Sequence, residues 1–115
     1  MLRRGIQGIL MQQFDVYANP SKITRRAYPF FVDIQSDIVS EIATRIVVPL
    51  GRKVDFKNEE MEKLTPTITY EGEELLLLVP QIASMPAKAL KNPIGSLSHL
   101  RDEIIAALDF AITGI

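Results

Sequence analysis

Phe30, Val32 and Ile34 fall at alternate positions, with Asp33 and Gln35 between them. A period of two marks a strand with one face on a core and one in water. Residues 27–36 therefore read as a strand that turns Asp33 and Gln35 to solvent. Its far end, Gln35-Ser36-Asp37, is polar and suited to presenting side chains to a partner. The same alternation puts Phe14 and Val16 on one face of a strand over residues 12–18. Asn19-Pro20-Ser21 ends it, because proline lacks an N–H and restricts the residue before it. Residues 44–50 read as a third strand, β-branched at Ile46, Val47 and Val48; Pro49 predicts that its end lies at an edge or bulge. Residues 51–65 are charged and irregular, with room for a short helical turn over 57–63. Residues 67–70 and 74–79 flank Glu71-Gly72-Glu73, a short hairpin connection in which Gly72 offers positive φ. Residues 75–79 are apolar without alternation, as expected of a strand buried on both faces or covered by a helix. Pro80 and Pro86 bracket a further extended piece.

The last segment changes period. At about 100° per residue, Leu97, Leu100, Ile104, Leu108, Ala111, Ile112 and Ile115 share one stripe. Ser96 and Ser98 are candidate N-caps, and Asp102 and Glu103 suit the positive end of the helix dipole. His99, Asp102, Asp109 and Thr113 project from the opposite side, as does Phe110, about 60° from Thr113 in helical projection. Gly114 can end the helix with positive φ. Ile115 then either folds back on the core or stands out for a partner. Antiparallel strands closed by one terminal amphipathic helix predict a mainly β domain, a small barrel or sheet capped by that helix.

Composition narrows the function. At 115 residues the chain has the size of one domain, and 47% hydrophobic residues suffice for a core. Its longest apolar run is far shorter than the roughly 20 residues a membrane helix needs. Thirteen basic and fourteen acidic residues give a net charge of -1, without the basic excess of a duplex binder. A protein partner is thus expected rather than nucleic acid or membrane. Zero cysteines exclude disulfides and thiolate metal sites and suit a reducing cytoplasm. A single histidine excludes multi-histidine metal chemistry, and no cofactor is implied. Residues 1–10 hold two arginines and a few apolar side chains, without the apolar core or cleavage site of a signal peptide. They read as an extension outside a domain spanning 11–115, either disordered or preceding a true start at Met11.

Ser98, His99 and Asp102 lie close together in sequence and invite a hydrolytic reading. Adjacent helical residues point about 100° apart, which opposes the nucleophile–base contact that hydrolysis needs. The scattered glycines form no phosphate loop, and the clusters Glu59, Glu60, Glu62 and Glu71, Glu73, Glu74 read as solvated charge. A small nuclease or hydrolase remains a distant alternative.

Several segments together resemble the CcdB toxin family, the poison half of a bacterial toxin–antitoxin pair that acts on DNA gyrase. They are Gln13-Phe14-Asp15-Val16-Tyr17, Phe31 to Ile38, Val48-Pro49-Leu50, Ala83-Ser84-Met85-Pro86, Leu97-Ser98-His99 and the closing Gly114-Ile115. They occur in the family's order and span residues 11–115. The resemblance implies an SH3-like barrel that dimerises, a CcdA-like antitoxin, and no catalysis. It also implies a contact surface for the DNA gyrase A subunit. That surface would comprise Gln35, Ser36 and Ile38 at the strand end, with Asp109, Thr113, Gly114 and Ile115 on the helix. The family has Trp directly before its Gly-Ile, where this chain has Thr113, and commonly Asn where this chain has Asp109. Interface aromatics of that kind typically cost about 2 kcal/mol or more when truncated. Either gyrase is poisoned poorly or not at all, which leaves an antitoxin-binding module, or Phe110 takes over the anchor; the plainer reading of Phe110 is packing against a neighbouring element or a dimer mate.

Overall fold

In a computed structural model, residues 11–36 and 43–114 are described, and they form one antiparallel sheet coiled into a half-barrel with one helix at its carboxyl end. The strands are β1 (Asp15–Ala18), β2 (Phe30–Asp33), β3 (Thr44–Arg52), β4 (Thr67–Tyr70), β5 (Glu73–Leu77), β6 (Ala83–Pro86) and β7 (Gly95–Ser96), followed by α1 (Arg101–Thr113). The sheet order is β4-β5-β3-β2-β1-β7, with β6 on β3. This is the mainly β, helix-terminated fold that the periodicities predict. The proposed extension at residues 1–10, and Ile38 and Ile115, lie outside the described residues.

Residue β3 partners explain Pro49. The strand expected over 44–50 runs on to Arg52, and Pro49 lies inside a strand paired on both edges rather than marking a sheet edge or bulge. One edge of β3 pairs with β2, from Asp33↔Val47 to Phe30↔Leu50. The other edge changes partner: Thr44 to Val47 pair with β6, and Leu50 to Arg52 with β5. Pro49 sits at that change, where its carbonyl accepts from Leu78 N–H at 3.0 Å. Its missing N–H falls where neither partner strand requires a donor, so the cost of proline inside a sheet is avoided.

The main core gathers Phe14, Val16, Val32, Val48, Leu50, Ile68, Leu75, Leu77, Val79, Leu97, Ile104 and Ala107. Phe14 and Val16 share it, as the alternation predicts. Leu75, Leu76 and Leu77 are all buried, which accounts for the unbroken apolar run. The hairpin turn is the two-residue Glu71-Gly72, with φ of 55° and 78°. Paired positive φ values match the twist of the strands they join.

Three further expectations need correction. First, the outer face of β2 is not in water. A smaller cluster of Tyr17, Val47 and Leu90, with Met11, Phe31 and Met85 against it, covers that side of the sheet. Asp33 and Gln35 are consequently buried. Second, β1 begins only at Asp15, because Phe14 adopts φ 73° and turns the chain before the strand starts. Third, Ser98 does not cap α1. A 3-10 turn at Ser98–Leu100 leads into the helix, and Ser96 Oγ accepts the Ser98 N–H at 3.1 Å. Asp102 and Glu103 do occupy the first turn of α1.

A candidate partner-binding site at the helix tip

The apolar stripe of α1 is shorter than its pattern predicts. Ile104 and Ala107 are buried, and Ile105 and Leu108 half-buried. Ala111 and Ile112 are exposed, Ile112 to 75%. The helix runs past the edge of the core, so its last turn overhangs the domain. The deciding signal lies in the core's extent, which a helical projection of the sequence does not contain.

The overhanging turn is well defined. Gly114 takes φ 78° and donates its N–H to Phe110 O at 2.9 Å. That is the left-handed termination glycine allows. Thr113 Oγ1 donates to Asp109 O at 2.7 Å, returning its hydroxyl to the helix. Asp109, Thr113 and Gly114 are exposed. Phe110 is half-buried, with the Lys63 ammonium 5.5 Å from its ring centroid. It is therefore partly covered by a neighbouring element rather than fully presented.

The other sequence-predicted residues sit at the end of β2. Ser36 is exposed, whereas Gln35 is only 5% exposed. Gln35 Oε1 accepts the Ile46 N–H at 3.0 Å, and Gln35 N–H donates to Asp33 Oδ1 at 3.0 Å. Asp33 Oδ2 receives Arg45 Nε at 2.8 Å and Nη2 at 2.7 Å, with both side chains fully buried. This ion pair fixes the path by which the chain reaches Ser36. Gln35 thus shapes the strand end from within, and Ser36 is the described residue there that a partner can touch.

Sequence reasoning missed Arg45, Asp33 and Tyr17 as a buried polar group. Among the described residues, Tyr17 hydroxyl and Arg45 Nη1 have no hydrogen-bond partner. Burial, then the carboxylates of Asp15 and Asp33, push the Tyr17 phenol well above its ordinary range, with Arg45 opposing. A clue was present: Arg45 stands in a strand at the same parity as the buried Val47. Gln13 was also missed; its Nε2 donates to Ile34 O at 3.0 Å and ties the turn before β1 to the end of β2.

Ser98, His99 and Asp102 are all exposed at the start of the helix. Among the described residues no group of three or more His, Cys, Asp or Glu side chains could hold a metal ion. No helix among them is long and apolar enough to cross a membrane.

The family model described as CcdB protein matches residues 13–114. This chain belongs to the CcdB family. The match covers both the turn before β1 and the complete helix, so the tip described above lies within the matched domain. The helix, its glycine termination and the overhang are all present.

Proposed function

We propose that this protein is the toxin of a type II toxin–antitoxin module, binding the DNA gyrase A subunit and trapping its cleaved-DNA complex. It acts as a cytoplasmic homodimer without catalysis, cofactor or direct nucleic-acid contact, and a CcdA-like antitoxin neutralises it. The observation that carries this reading is the exposed last turn of α1 on a CcdB domain. Asp109, Thr113 and Gly114, with Ile115 beyond, offer the helix contact; Ser36, with Ile38 beyond and Gln35 behind, offers the strand contact.

A second reading keeps the fold and antitoxin binding but lacks gyrase poisoning. Thr113 favours it, because its hydroxyl is spent on Asp109 O and its side chain supplies little contact area. Loss of about 3 kcal/mol at an anchor weakens binding more than about 100-fold. Phe110, held under Lys63, is a weak substitute for that anchor.

Expression of the chain in bacteria separates the readings. Growth arrest relieved by a gyrase A mutation supports the first. Absence of arrest with retained antitoxin binding supports the second, and arrest with RNA cleavage in vitro points to an enzyme. Thr113→Trp sharpens the test. Thr113 is exposed, so an indole there costs the fold little and adds about 150–250 Å² of aromatic surface. It is expected to raise toxicity and gyrase A affinity. Unchanged affinity, beside a family member that poisons the same gyrase, would assign this chain another target.

A further inference from the structure

A built turn stands beside the helix tip and meets it through one cation–ring contact. Residues 61–65 are closed by Thr65, a buried side chain whose Oγ1 accepts the Met61 N–H at 2.7 Å and donates to Met61 O at 3.0 Å. Backbone bonds from Leu64 N–H and Thr65 N–H to Met61 O, at 2.8 and 2.7 Å, tighten the same turn. Lys63 stands at its exposed crest with its ammonium 5.5 Å from the Phe110 ring centroid. Phe110 in turn provides the carbonyl that receives Gly114 N–H.

The electrostatics point the same way. The carbonyls at a helix carboxyl end carry partial negative charge, which a nearby cation stabilises. The last turn of α1 contains no basic residue, and the acidic Asp109 stands just before it. Lys63 brings a positive charge to that end from another part of the chain. One ammonium therefore covers the ring of the residue whose carbonyl closes the helix, at the point where the helix has left the core.

We propose that the Met61–Thr65 turn is a bracket for the tip of α1, with Lys63 a positioning residue that sets the angle of the Phe110–Gly114 turn toward its target. Its functional half rests on the gyrase reading above; its structural half does not. A cation over an exposed ring contributes modestly, so loss of the contact should loosen the tip about two- to five-fold.

The test uses the full chain carrying Lys63→Gln or Lys63→Arg. Arginine keeps the charge and stacks on aromatic rings, so it is the conservative rescue. Amide hydrogen exchange by NMR is read at Thr113 and Gly114 in the free protein, and affinity for the gyrase A subunit by calorimetry. Lys63→Gln should speed exchange at both amides and weaken gyrase affinity by similar factors of about two to five, with Tm within about 2 °C of the parent. Lys63→Arg should restore both. Unchanged exchange in Lys63→Gln overturns the bracket, whatever gyrase does. Faster exchange with unchanged gyrase affinity overturns the positioning role. If the parent protein fails to bind gyrase A while the exchange effect is present, the gyrase reading falls and the bracket stands.

Discussion

Tyr17 and Arg45 each bring into the interior a polar atom with no hydrogen-bond partner among the described residues, and the two differ in what their loss would do. The Tyr17 hydroxyl is buried without a hydrogen bond to any described residue, so Tyr17→Phe should stabilise the protein at neutral pH by up to about 1 kcal/mol. The sign of its pH dependence follows from its raised pKa. The unfolded chain ionises tyrosine near about pH 10, while the folded phenol stays protonated to higher pH. Its contribution is fully present below about pH 10 and declines above, by up to about 1.4 kcal/mol per unit. Tyr70, raised by burial and then by Glu71, adds in the same direction. Urea melts at pH 7 and above pH 10 should show a shallower alkaline loss in Tyr17→Phe than in the parent. Asp33→Asn acts oppositely. It leaves the Arg45 guanidinium buried without its counter-charge, at a cost of about 3–5 kcal/mol by urea denaturation. These residues also mark where sequence reading stopped. Alternation correctly separated Val32 from Asp33, but which side met water depended on Tyr17, Leu90 and Met11 arriving from distant parts of the chain.

At the scale of elements, α1 divides into a packed half and an overhanging half. Ile104→Ala should cost about 2–5 kcal/mol, because the side chain lies wholly in the main core. Ile112→Ser should change stability by no more than about 0.5 kcal/mol, being an exposed position. Paired thermal melts check both, and a large loss at Ile112 would mean that the stripe is covered after all. The helix itself was legible, since a 3.6-residue period and a closing glycine do not depend on tertiary context. Its packing limit was not, because Ile104 and Ile112 carry the same local signal and differ only in whether core lies beneath them. The glycine at β7 shows the same division. A Cβ on Gly95 would collide with the Tyr70 hydroxyl, a contact between strands with no sequence signature.

For the whole molecule, light scattering at micromolar concentration is expected to give twice the 12.9 kDa chain mass. A monomeric mass would remove the dimer from the proposed function while leaving the family intact. The order of strands was not readable from the chain, because β3 serves three neighbours and only its length hints at that load. Pro49 gives this shared strand a further property. The two sides of residue 49 on that edge belong to different strands, β6 before it and β5 after it, so one side of β3 is shared without any donor being asked of the proline. An amide hydrogen at position 49 would find no acceptor waiting, because Leu78 O, the carbonyl of the residue that donates to Pro49 O, already receives Gln81 N–H at 2.8 Å.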